Sequence, residues 1–128
     1  MLCYNPLAGG LLSAKHRFNA EPDAQSRFGS GNAAGMYKDR YWHEREFLAV
    51  DTFSKVAAQA RIPPVRLAVA WVLSQPAVTS AVMGASRAEQ LTEVLNAAET
   101  QIEHGLMVLL NELSHEFRMG NAAGNASR

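Results

Sequence analysis

The sequence predicts an α/β fold built from parallel strand–helix units, and three observations carry that prediction. Short apolar runs at residues 1–4 and 79–83 alternate with longer segments of helical period, the order expected of parallel strands joined by helical crossovers. Residues 65–74 are apolar nearly all round, which requires burial against more than one neighbour. Two short strands alone do not make a stable parallel sheet, because both of its faces need cover. The pattern therefore predicts part of a larger α/β fold that opens inside its own core pattern.

The elements follow in order. Residues 1–4 form a candidate buried strand that meets Asn5-Pro6, a turn signal, and then Gly9-Gly10, which permit unusual backbone angles. Residues 11–15 suit a helical turn. Residues 16–43 are rich in Gly, Pro, Asn, Asp and Ser without a period and read as a long functional loop, pinned near its end by Tyr37, Tyr41 and Trp42. A helix is expected over 44–61, with Phe47, Val50, Phe53, Val56, Ala57 and Ala60 on one face. Pro63-Pro64 breaks it and opens the next helix, where proline is tolerated in the first turn. After the strand at 79–83, Gly84-Ala85 turns into a helix announced by Ser86-Arg87-Ala88-Glu89, a capping-box sequence. Leu91, Val94, Leu95 and Ala98 are its expected buried face. A last helix is expected over 103–117, carrying Leu106, Leu109, Leu110, Leu113 and Phe117, before a disordered tail of Gly, Ala, Asn and Ser.

Composition narrows the function classes. The 128 residues are 48% apolar and 19% charged with zero formal net charge, so the basic excess of a nucleic-acid or membrane-surface binder is missing. Cys3 is the single cysteine, which excludes an intrachain disulfide framework and a Cys–His zinc pattern. With no secretory leader or long apolar run in the sequence, a cytoplasmic protein is the expectation.

Two segments carry chemistry. In the first, a strand ends in Tyr4-Asn5-Pro6-Leu7-Ala8-Gly9-Gly10-Leu11-Leu12 with Lys15 just beyond. A glycine loop of this kind can offer backbone N–H groups to a phosphate, with lysine as a point charge. In the second, Gly84-Ala85-Ser86-Arg87-Ala88-Glu89-Gln90-Leu91 joins a strand end to a helix start, where free N–H groups and the helix dipole favour an anion. Each has a plainer reading. Ser86 serves equally as an N-cap, Gly9-Gly10 as an ordinary turn, Lys15 and Arg87 as solvated charges, and Tyr4 as a packed aromatic. His16, His43, His104 and His115 read as surface residues.

The wording of the two segments, with Ala70-Trp71-Val72-Leu73 between them, resembles the aldo-keto reductases over residues 1 to about 115. Arg27-Phe28-Gly29 and Tyr37-Lys38-Asp39-Arg40-Tyr41-Trp42 are similar to the aflatoxin-aldehyde reductase branch. The resemblance implies that residues 1–118 are strands seven and eight, with their helices, of a (β/α)8 barrel, and that 119–128 are a tail. Such barrels use roughly 250 residues. It implies NADP(H) as cofactor and reduction of a carbonyl substrate. Tyr4 would stack on the nicotinamide; Asn5, Leu7 and Gly9 would line the pyrophosphate path, held by Lys15 and Arg27. Gly84, Ser86 and Gln90 would surround the 2′-phosphate with Arg87 as helper, and Glu93 would reach the adenine. Val94 stands where the family often has Asn, which weakens the adenine contact.

The family's catalytic Asp, Tyr, Lys and His come from earlier strands, and their motifs are absent from this sequence. No catalytic or metal-ligating residue is therefore assigned. Three readings follow: the C-terminal portion of an oxidoreductase, inactive alone and associating through an exposed barrel flank; a non-catalytic NADP(H)-binding or barrel-completing partner; and a small helical interaction protein with an accidental likeness.

Overall fold

The computed structural model describes residues 1–115 apart from Asp23, Ser30 and Ser86. Two strands, β1 (Leu2–Tyr4) and β2 (Ser80–Val82), pair in parallel with Leu2 opposite Ser80, Cys3 opposite Ala81 and Tyr4 opposite Val82. Between them run a 3-10 helix (Ala8–Ser13) and three α-helices: α1 (Ala34–Tyr41), α2 (Glu44–Ala60) and α3 (Pro64–Ser74). After β2 come α4 (Glu89–Glu99) and α5 (His104–Ser114). The parallel pair with its long helical crossover is the arrangement that the alternating pattern predicts.

α3 is the hub. Leu67 is fully buried and joins Val56, Ala57 and Leu110, so that α2, α3 and α5 share one cluster. Val69 and Ala70 turn to Ala97 of α4, with Leu7 and Met83 at the strand ends packed alongside. A third cluster lies under the long loop, where Leu11, Phe28 and Val50 are sealed by Tyr37, Tyr41, Trp42 and Phe47. The all-round apolar character of α3 is thus consumed by neighbours on several sides. Pro64 occupies its first turn, where the missing N–H costs nothing. α2 ends in a Schellman-type turn: Ile62 N–H bonds the Ala57 carbonyl, and Arg61 takes the left-handed conformation.

Three expectations are corrected. Residues 16–43 are not all irregular, because α1 forms inside them; Tyr37 and Tyr41 sit one turn apart on it and pack onto the first glycine loop. The sequence hides this helix because tertiary packing, rather than an apolar stripe of its own, holds it. α4 begins at Glu89, not near Ser86, and Ala88 precedes it without a side-chain cap, so Glu89 is the first helical residue instead of the third that a capping box requires. Its buried face is also rotated. Ala97 is the buried residue, while Leu91 and Leu95 are 41% and 67% exposed and Ala98 is exposed.

On α5, Leu110 is buried and Leu106 and Leu113 are partly covered, whereas Leu109 is exposed. Phe117 and the expected tail at 119–128 lie outside the described residues.

The strands differ from the expectation as well. Leu2, Tyr4 and Val82 are 70%, 75% and 55% exposed. Alternation places these residues and Ser80 on one face of the pair and leaves Cys3 and Ala81, both partly covered, on the other. A strand face this apolar and this open is the face on which further structure would pack.

Candidate functional site

Because β1 and β2 are parallel neighbours, the loops that leave their carboxyl ends emerge side by side. In open α/β arrangements that edge is where ligands bind. The first loop is tightly self-bonded. Asn5 and Ala8 adopt left-handed angles (φ 56° and 53°), as do Gly9 and Gly10 (φ 72° and 100°). Ala8 N–H bonds the Asn5 carbonyl at 3.1 Å, and Gly10 and Leu12 N–H both bond the Leu7 carbonyl. Gly9 N–H donates to Asn5 Oδ1 at 2.7 Å. The expectation that this loop presents bare N–H groups is therefore corrected at Ala8, Gly9, Gly10 and Leu12, whose donors are used within the turn. Gly9 is required on two counts. Its φ lies in the left-handed region, and a Cβ there would sit 2.9 Å from Tyr37 Cδ1.

Arg27 brings a positive charge to the site from the long loop. Its guanidinium donates to the Tyr37 hydroxyl at 3.3 Å and lies 5.8 Å from the centroid of that ring. Its other terminal nitrogen would be 3.4 Å from a Cβ placed on Gly84. One cation thus lies beside the second loop while being held by a tyrosine that packs on the first. Arg27 is exposed, so its charge is open to a ligand at this edge.

The remaining sequence-predicted residues divide. Tyr4 stands exposed at the end of β1, and Asn5, Leu7 and Gly9 follow it into the turn; Leu7 packs against the α3–α4 cluster. Lys15 is exposed just past the 3-10 helix, and Gly84, Arg87 and Gln90 are exposed around the second loop. Arg87 N–H donates to Gln90 Oε1 at 3.4 Å. Ser86 lies outside the described residues. Glu93 is drawn elsewhere, since its carboxylate accepts from Arg66 Nε at 2.8 Å.

Tyr37 and Tyr41 were expected to pin the long loop and do pack beneath it, but their place on one helix and their bonds to Arg27 and Asn5 were not foreseen, although the i, i+4 spacing was an available signal. Sequence reading missed Glu46. This carboxylate is 6% exposed and lines a cavity of about 270 Å3 with Leu11, Tyr41, Phe53, Trp71 and Leu110. Neither of its oxygens has a hydrogen-bond partner among the described residues.

Among the described residues no group of three or more His, Cys, Asp or Glu side chains is arranged to hold a metal ion, and no helix is long and apolar enough to cross a membrane.

Comparison with known proteins converges on one family. The sequence profile of the Aldo/keto reductase family matches residues 1–114. The chain is 32% identical over 124 residues to the human aldo-keto reductase family 7 member A3, covering 88% of this chain and 38% of that protein. It is 32% identical to the human aflatoxin B1 aldehyde reductase member 2, again over 88% of this chain and 34% of the relative. An L-glyceraldehyde 3-phosphate reductase of Escherichia coli is 31% identical over 96 residues, 75% of this chain and 28% of its own. The chain spans between about a quarter and two fifths of the length of these relatives.

Proposed function

Since this chain belongs to the aldo/keto reductase family, we propose that it supplies the dinucleotide-holding part of an NADP(H)-dependent oxidoreductase that reduces aldehydes or ketones to alcohols. The observation that carries this reading is the pair of glycine-bearing loops at the carboxyl ends of adjacent parallel strands, with Arg27 between them. In eight-stranded barrels phosphate sites arise from the loops after the last two strands. β1 and β2 are accordingly strands seven and eight of such a barrel.

The residues suit a dinucleotide. Tyr4 offers an exposed ring at the strand end for a nicotinamide to stack on. Asn5, Leu7 and Gly9 line the pyrophosphate path as a turn of fixed shape, with the room beside Gly9 filled by the Tyr37 ring. Arg27 and Lys15 supply charge for the pyrophosphate. Gly84, Ser86 and Gln90, helped by Arg87, take the 2′-phosphate beside the start of α4. Glu93 reaches the adenine only by giving up its bond to Arg66, so its share of the binding is small. When bound, the nicotinamide supplies hydride to the carbonyl carbon. The residues of this chain bind and orient; the proton donor and the groups that tune it belong to the rest of the barrel.

A second reading, a barrel-completing partner without activity of its own, is favoured by the open apolar strand face at Leu2, Tyr4 and Val82. Titration of the 128-residue chain with NADPH, read by energy transfer from Trp42 and Trp71, tests the first reading. Saturable binding without carbonyl reduction is the expected result. A folded chain that ignores NADPH overturns the cofactor assignment, and turnover above background overturns the placement of the proton donor elsewhere.

A further inference from the structure

We infer that Tyr41 and Tyr37 of α1 are positioning residues that fix the shape of the Asn5–Gly9 turn and the place of Arg27, so that the segment 28–42 serves as a strap over the cofactor loop. The inference rests on the cofactor reading above for its functional meaning, and on contacts within the chain for its geometry.

The Asn5 side chain is a two-way clip. Its Oδ1 accepts from Gly9 N–H at 2.7 Å and its Nδ2 donates to the Tyr41 hydroxyl at 3.2 Å. The Gly9 N–H can only donate and so turns Oδ1 towards itself, which leaves the Nδ2 end to be held by the Tyr41 hydroxyl as acceptor. Without that hydroxyl the Asn5 amide is held at its Oδ1 end alone, and the acceptor offered to the Gly9 N–H is less firmly fixed. The turn is already costly, because non-glycine residues Asn5 and Ala8 hold left-handed angles there. Strained backbone of this kind persists only where neighbours over-determine it.

Tyr37 supplies the second fastening. Its ring fills the place a Cβ on Gly9 would take, and it stands stacked on Tyr41 with centroids 6.4 Å apart and an interplanar angle of 23°. Its hydroxyl accepts from Arg27, which would otherwise be a long solvated side chain with many rotamers. Beneath, Phe28 is 1% exposed and meets Tyr37 and His16 edge-on and Trp42 at a tilt, which anchors the strap to the core. Both tyrosines therefore act through another residue, and neither needs to touch the dinucleotide. A strap that holds Asn5 and Arg27 in place before the ligand arrives lowers the ordering cost of binding.

The test uses two conservative variants of the whole chain, Tyr41→Phe and Tyr37→Phe, which keep the rings and remove only the hydroxyls. Amide exchange at Gly9 and guanidinium exchange at Arg27 are followed by NMR, with thermal melting and NADPH affinity measured alongside. Loss of one hydrogen bond predicts roughly five-fold faster exchange at Gly9 in Tyr41→Phe and at Arg27 in Tyr37→Phe. Melting should fall by no more than about 4 °C, the shift that loss of one hydrogen bond gives in a chain of this length, and NADPH binding should weaken by a similar factor of roughly five. Unchanged exchange at both sites overturns the strap even if NADPH binds. Exchange that rises evenly across the whole chain with a larger fall in melting temperature overturns it too, because the tyrosines are then general packing. If exchange responds locally but the unmodified chain does not bind NADPH, the strap stands and the cofactor reading falls.

Discussion

Replacing Glu46 with leucine should stabilise this chain. Glu46 is the third residue of α2, where a glutamate ordinarily closes a capping box by bonding back to the N-cap N–H. Here that donor is taken, since His43 N–H bonds the Tyr41 carbonyl at 2.9 Å. The carboxylate is left 6% exposed against Leu11, Phe53 and Trp71, with neither oxygen paired among the described residues. A buried polar group without a partner costs about 1–3 kcal/mol, and a charge costs more. Against this stands the attraction of a carboxylate to the helix N-terminus, about 0.3–1 kcal/mol. Leucine and glutamate have similar helix propensity, so that contribution cancels.

The balance favours leucine by about 2 kcal/mol. At about 2.1 cal/mol/K of unfolding entropy per residue, this corresponds to a rise of about 7 °C in Tm for a chain of this length. Thermal melting by circular dichroism is the assay, with Glu46→Gln as a control that removes the charge but keeps unpaired polar atoms. It should gain less. A lower Tm for Glu46→Leu would show that the carboxylate has a partner and refute the reasoning.

Gly9→Ala should cost about 2–4 kcal/mol, because a left-handed alanine is strained and its Cβ meets Tyr37 Cδ1 at 2.9 Å. Gly10→Ala has φ 100° but open space around it, so it should lose only the backbone part; equal losses in urea midpoints would remove the close contact from the account. The open strand face carries the other expectation: the purified chain should self-associate in sedimentation velocity, and Leu2→Lys with Val82→Lys should shift it towards monomer. A wild-type chain that sediments as a monomer at every concentration would rule out that face as sticky.

Local patterns determined a good deal from sequence. The period of α2 and the proline at the start of α3 lie in runs of neighbouring residues, and the structure reproduces both within a residue or two. The apolar completeness of α3 announced a hub without naming its neighbours. The family wording at residues 4–12 and 84–91 placed both loops at strand ends before the strands were seen to pair.

What sequence left open depends on contacts between distant segments. α1 forms because Tyr37 and Tyr41 find the Asn5–Gly9 turn, about thirty residues back along the chain, and its own sequence carries little amphipathic signal. α4 buries Ala97 rather than Leu91 or Leu95 because docking on α3 selects the face, and Glu93 is turned aside by Arg66. The donors of the first glycine loop are spent within the turn because Asn5, left-handed and held by Tyr41, supplies the acceptor for Gly9. Propensity and period act over one or two turns of chain, whereas these choices were settled by which surfaces met.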